Sequence, residues 1–262
     1  MSYQTIRFEV HETIARLTLD RPERLNSFTA QMHAEVRAAL AEVTARGARV
    51  LILTGAGRAF CSGQDLAERA PIEGAPRIDL GTTVEQLYNP LVLALRELPL
   101  PVIAAVNGVA AGAGANIALA CDLVIAARSA VFVQAFCRIG LVPDCGGTWI
   151  LPRLLGPARA LGLALLGERL SAEQAAEWGL IWRCVDDGEL ASTVDALARG
   201  LAAGPARALA LTKRLLYESS SRPLAEQLAA ERDAQRELGT TSDFIEGVTA
   251  FVEKRAPRFS GR

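Results

Sequence analysis

From Leu98 to Cys121 the chain carries no charge, over a length that could cross a bilayer. Few architectures can house such a run. Pro99, Pro101, Asn107, Asn116 and the glycines at 108, 112 and 114 interrupt it, unlike a lipid-facing helix. Val102–Val106 reads as a buried strand and Asn107-Gly108 as a turn. Residues 112–120 read as a helix of small residues. A strand, turn and helix buried on all sides need layers above and below them. That points to an α/β body and away from a membrane span.

The flanking sequence supplies those layers. Thr5–Val10 and Ala15–Leu19 alternate around His11-Glu12 as a hairpin. Arg21–Ser27 is a polar loop, and Ser27 or Thr29 can cap a helix that runs to about Ala45. Val50–Thr54 is a strand, Gly55–Arg58 a turn, and Ala59–Gln64 a loop or short strand. Residues 70–83 are rich in loop formers and are expected to be mobile. Val84–Leu98 is helical and Leu123–Ala127 is a strand. Gly156-Pro157 separates two apolar helices, Gly146–Leu155 and Pro157–Leu166. Ser171-Ala172-Glu173-Gln174 is a capping box, and Leu180–Val185 is a last strand. Residues 189–254 keep a helical period, broken near Gly204-Pro205, Arg222-Pro223 and Gly239. The expected division is an α/β body over 1–190 and a helical region over 191–262. No period of about 20–50 residues recurs, which argues against a repeat architecture.

Composition removes whole classes of chemistry. The 262 residues are 50% hydrophobic with a net charge of −1. Such a chain is neither disordered nor built to bind nucleic acid or anionic lipid. Lys213 and Lys254 are the only lysines, and His11 and His33 the only histidines. His33 falls on the first helix, as a surface or satisfied residue. Five cysteines without a C-x-x-C pair suit a reduced, cytoplasmic protein rather than a disulfide framework or a zinc site. No basic stretch followed by an apolar core opens the chain, so no secretory leader is expected. No metal site is expected either. The glycine turns at 55–60 and 112–117 lack the third glycine of a dinucleotide site and the G-K-[ST] of a phosphate loop. They can serve close packing alone, or they can aim two backbone N–H groups at one carbonyl oxygen.

Phe60-Cys61-Ser62-Gly63-Gln64-Asp65-Leu66 and Asn107–Gly114 together resemble the paired signature of the enoyl-CoA hydratase/isomerase (crotonase) family. Arg21–Ser27, Ser171–Gly179 and Gly247–Arg255 resemble its early and late motifs, in order along nearly the whole chain. The resemblance implies a spiral of β-β-α turns forming two roughly perpendicular sheets, with a C-terminal helical trimerisation region. It implies an acyl-CoA thioester substrate and an oxyanion hole made by the N–H groups of Gln64 and Ala113. Coenzyme A arrives as part of the substrate, so no separate cofactor is expected. CoA contacts are implied for Arg24, Leu25, Ser62, Asp65, Leu66, Phe251 and Lys254. On the residues alone, Phe251 could equally be core and Lys254 a solvated charge. The expected assembly is a homotrimer or a dimer of trimers.

Family hydratases place two carboxylates where this chain has Asn116 and Phe136, and neither side chain exchanges a proton near neutral pH. Asp144 stands where several family isomerases carry a single acid/base. By itself, an aspartate between Pro143 and Cys145-Gly146 also suits an ordinary turn or cap. Asn116, Phe136 and Trp149 are expected to position substrate, with Phe136, Val142 and Trp149 keeping Asp144 dry. Gly140–Trp149, Leu163–Asp187 and Glu246–Gly261 resemble, more narrowly, the branch that isomerises a ring epoxide of phenylacetyl-CoA to an oxepin and shifts a 3,4 double bond to 2,3 in dehydroadipyl-CoA. The alternatives are a fatty enoyl-CoA isomerase or hydratase-like enzyme, and a non-catalytic CoA-fold binding protein.

Overall fold

In the computed structural model, which describes residues 3–69 and 79–261, ten strands form two sheets. β1 (Ile6–His11) and β2 (Ile14–Leu19) are an antiparallel hairpin. β3 (Val50–Gly55) pairs parallel with β2, and the sheet continues in parallel through β5 (Val102–Val106), β7 (Leu123–Ala127) and β10 (Arg183–Val185). Every residue of β5 is buried. That explains its unbroken apolar sequence, since helices cover both faces of such strands. The second sheet is assembled from three-residue strands: β4 (Ala59–Cys61), β6 (Val109–Ala111), β8 (Val131–Val133) and β9 (Arg169–Ser171).

Thr29 rather than Ser27 caps α1 (Ala30–Ala45), its hydroxyl accepting from Met32 N at 3.2 Å. Asp79 caps α2 (Leu80–Thr83), which winds through a π-type turn over 84–88 into α3 (Asn89–Glu97). The mobile segment expected over 70–83 thus lies outside the described residues from 70 to 78, and its end is helical. α4 (Ala113–Ala120) is buried along its whole length. The uncharged run is therefore strand, turn, strand and helix inside the protein. α5 (Gly147–Leu166) is long and apolar enough to cross a membrane by length and composition. Gly156, at φ 72° and ψ 165°, breaks it into two pieces, each well short of a span. α6 (Ala172–Glu177) is capped by Ser171, whose hydroxyl accepts from Gln174 N.

The packing changes character later than residue 190. α7 (Leu190–Ala202) lies against β3, β5 and β7, with Val194 and Ala198 fully buried, so it belongs to the α/β body. α8 (Ala206–Ser219) is tied to that body by charge. Buried Lys213 meets Asp122 at 2.9 Å and donates to the carbonyls of Leu95 and Leu100. Asp122 also accepts from Tyr217 Oη and from Val102 N. Removing the cation strands a buried carboxylate. Lys213→Met should therefore cost about 3–5 kcal/mol in a denaturant melt. A loss below about 1 kcal/mol would show that the clamp is dispensable. α9 (Leu224–Leu238) and α10 (Ser242–Glu253) bury little of their apolar surface, leaving Leu224, Leu228, Phe244, Ile245, Phe251 and Val252 exposed.

Candidate active site

The second sheet delivers two turns to one place. After β4 the chain reverses at Gly63 (φ 95°), and after β6 at Gly112 (φ 53°), both conformations that side chains disfavour. A methyl group on Gly63 would lie 3.0 Å from Ala111 O and 3.4 Å from Ala113 N, so the turns touch. The next residues are Gln64 and Ala113. Phe28 N donates to Gly63 O and Asp65 N to Phe28 O, at 2.7 and 2.9 Å, which turns the Gln64 N–H away from that bonded edge. Among the described residues, neither the Gln64 nor the Ala113 N–H has an acceptor. Ala113 also opens α4, whose dipole adds partial positive charge there. Two such amides side by side suit a carbonyl oxygen that is gaining negative charge.

The Gln64 turn is braced from behind. Its side chain donates to Phe28 O at 3.1 Å and accepts from Tyr88 Oη at 2.7 Å. Tyr88 packs edge-on against His33, which leans on Phe28. His33 is thus a buried aromatic-cluster residue of this brace. Tyr88 was not legible as a site residue, because nothing local marks it.

Asp144 follows β8 and a short helical turn, on a loop whose next residues are both left-handed: Cys145 at φ 51° and Gly146 at 78°. Gly147 N closes the turn onto Asp144 O at 2.8 Å. Burial raises the Asp144 pKa above the usual aspartate range, only partly offset by a hydrogen bond with Cys145. Its Oδ1 is buried and has no hydrogen-bond partner among the described residues. An ionised oxygen without a partner in a dry site is a strong proton acceptor. The Cys61 thiol beneath the first turn is held to about 12 by burial, and burial together with Asp144 raises Cys145 further, so neither is a thiolate nucleophile. No cluster of three metal-type side chains occurs among the described residues.

Phe136 is buried with its ring edge over Gly112, 3.8 Å from where a methyl group there would sit. It walls the amide pair with hydrocarbon. Asn116 departs from the expected role. It is 0% exposed, with Nδ2 donating to Asp144 O and Oδ1 accepting from Gln134 Nε2, both at 2.8 Å. All of its visible bonding is internal, and it supports the Asp144 loop from within the protein. Trp149 is 40% exposed and lies between the guanidinium groups of Arg96 and Arg153, while Val142 points outward. Of the three residues expected to dry Asp144, the structure buries only Phe136.

The early loop is built to a fixed shape. Leu25 and Asn26 are left-handed, and buried Asn26 donates to Ala56 O and Ala59 O. Ser62 N donates to Leu25 O, joining this loop to the first glycine turn. Arg24 and Leu66 stand exposed beside it, open to a ligand. Asp65 is already engaged: burial opposes its charge, but Arg21 at 2.9 Å and the Ala67 N–H pull its pKa down. Its role is to lock loop to turn. The late residues sit on and just past α10. Phe251 is 83% exposed, and Lys254 lies past the end of α10 in a left-handed cap. The acidic residues early in α10 are bound as well: Asp243 accepts from the backbone N–H groups of Ser260 and Gly261, and Glu246 pairs with Arg255.

The sequence profile of the enoyl-CoA hydratase/isomerase family matches residues 9–262. The chain belongs to that family. It is 56% identical over 254 residues to the 1,2-epoxyphenylacetyl-CoA isomerase of Escherichia coli K12, with 97% of each chain covered. It is 54% identical, over the full length of both, to a protein of Rhodobacter capsulatus named a probable enoyl-CoA hydratase. The crystal structure of an enoyl-CoA hydratase from Bacillus anthracis superposes with a TM-score of 0.93 at 34% identity, covering 99% of this chain and all of that one. The mixed sheets and trailing helices are therefore the crotonase fold, and the paired glycine turns are this family's signature in place.

Proposed function

We propose that this member of the enoyl-CoA hydratase/isomerase family is an acyl-CoA isomerase that works through a thioester enolate. The substrate carbonyl sits on the N–H groups of Gln64 and Ala113. Asp144 takes a proton from the carbon next to that carbonyl, and the amide pair holds the enolate oxygen. For a 3,4-enoyl thioester, the proton returns at C4 and the double bond moves to 2,3. For the ring epoxide of phenylacetyl-CoA, the C–C bond between the two epoxide carbons opens to a seven-membered ring, and the proton taken from the carbon next to the thioester returns to a ring carbon, giving an isomeric oxepin thioester. Substrate and product are isomers, so nothing is added and no separate cofactor is required.

One observation supports the reading: Asp144, with its Oδ1 buried and unpartnered among the described residues, is tied through Asn116 to α4, the helix that Ala113 opens, while Phe136 and the internally bonded Asn116 stand where the family's hydratases carry carboxylates. Two carboxylates are needed to place and activate water by the hydratase route. The E. coli relative's name supports the ring-epoxide substrate. The names that read hydratase describe chemistry for which this site lacks the second acid/base. Purified protein should isomerise a 3-enoyl-CoA at least about 10²-fold faster than it hydrates crotonyl-CoA. Comparable rates would remove the isomerase reading. A chain-length series of 3-enoyl-CoA thioesters, run against the ring epoxide, separates this reading from a fatty enoyl-CoA isomerase. The exposed apolar faces of α9 and α10 support assembly as a trimer or pair of trimers, with Phe251 and Lys254 completing a CoA site across a subunit contact.

A further inference from the structure

Gln134 has no part in the reaction as described, yet it is 3% exposed inside an otherwise apolar stretch, Val131–Phe136. Its Nε2 donates to Asn116 Oδ1, and its Oε1 is buried without a partner among the described residues. Asn116 in turn donates to the carbonyl of Asp144. We infer that Gln134 and Asn116 form a buried amide strut that aims Asp144, making Gln134 a positioning residue for the proton shuttle. The inference rests on Asp144 being that shuttle.

The polarity of the strut follows from what each group can do. A carbonyl oxygen accepts only, so Asn116 must turn its NH₂ toward Asp144 and its oxygen away. That oxygen lies in the interior, where it requires a donor. Gln134 supplies one, and its own oxygen is then left unmatched. With Gln134 unable to donate, the Asn116 oxygen is buried without a partner, and the amide loses one of the two bonds that fix it. Asp144 O then rests on a loosened amide and the Gly147 N–H.

Position matters at this carbonyl because the loop has little else to fix it. Asp144 is followed by two left-handed residues, and α5 begins immediately afterward at Gly147. Gly147 lies flat against the Asn116 amide, where a methyl group would come within 2.3 Å of Nδ2. The strut therefore touches the Asp144 loop at its carbonyl and at the start of the helix that follows. With the backbone held at both points, only the Asp144 side-chain torsions remain to place its carboxylate. A displacement of about 1 Å at a reacting group costs on the order of 10²-fold in rate.

The test uses four proteins: wild type, Gln134→Met, Asp144→Asn, and the double variant. Each is assayed for isomerisation of a 3-enoyl-CoA. Gln134→Met keeps the volume and removes the donor. Its kcat should fall about 10- to 10²-fold, with KM within about twofold of wild type, because Gln134 does not touch substrate. Added to Asp144→Asn it should cause no further loss, since there is no shuttle left to aim. A merely structural role would lower both backgrounds alike, and that outcome overturns the strut. So does a Gln134→Met enzyme with normal kcat while Asp144→Asn is inactive; the shuttle then survives alone. An active Asp144→Asn enzyme overturns both. If Gln134→Met does not fold, Gln134→Leu tests the same point, because a branched hydrocarbon side chain of similar reach also removes the donor.

Discussion

Asp144→Asn should lower kcat for isomerisation by about 10²- to 10⁴-fold while leaving the fold and thioester binding intact. The substitution keeps the shape and removes the basicity. It also removes a cost. Burial holds the Asp144 carboxyl above its ordinary pKa, so the ionised form is less stable folded than unfolded. That penalty is present above the folded pKa and absent below the unfolded one. Near neutral pH the asparagine variant should therefore melt at or above the wild-type temperature, while turnover nearly vanishes. A loss of activity accompanied by a large fall in Tm would point instead to a structural role. The same shift sets the pH profile. Only ionised Asp144 accepts a proton, so wild-type kcat/KM should fall on the acid side at a pH above the normal aspartate range. That limb should be missing from the residual activity of Asp144→Asn.

Ala113→Pro should remove one donor of the amide pair while keeping α4 in place. Ala113 is the first residue of the helix, a position proline tolerates because that N–H has no helical partner. The substitution deletes one of the two amides proposed to hold the substrate oxygen. Loss of one such donor costs about 10²- to 10³-fold in kcat. Gln64→Ala keeps its N–H and loses the bonds to Phe28 and Tyr88, so it should cost about 1 kcal/mol of stability per bond and much less activity. Circular dichroism alongside the kinetics decides the comparison. A folded Ala113→Pro enzyme with near-normal kcat would remove the second donor from the account.

The larger elements were readable because each carries its own period or cap. The hairpin alternates, β5 is apolar throughout, and Thr29 and Ser171 stand at helix starts. Of the second sheet, only β4 was half-legible, inside Ala59–Gln64 read as a loop or short strand; β6, β8 and β9 were not readable. Three residues cannot display an alternation, and β4, β6, β8 and β9 exist because the spiral brings them side by side. The helical start at Leu80 was hidden among loop formers, although Asp79 accepts from Gly81 N there. At the site, the glycine turns and Asp144 were legible from motif and position. The task of Asn116 was not, since its partner lies 28 residues away and the direction of its amide is set by Gln134. Trp149 was read as a drying wall because it is aromatic and close to Asp144 in the sequence. The arginines that hold it outward come from α3 and from later in α5.

Mass-spectrometric analysis of products from the ring-1,2-epoxide of phenylacetyl-CoA and from a 3-enoyl-CoA tests the central claim most directly. A shuttle that moves one proton and adds nothing must return products of unchanged mass: an oxepin thioester from the first and a 2-enoyl thioester from the second. Products heavier by one water, or no turnover of either thioester by a folded protein, would contradict it.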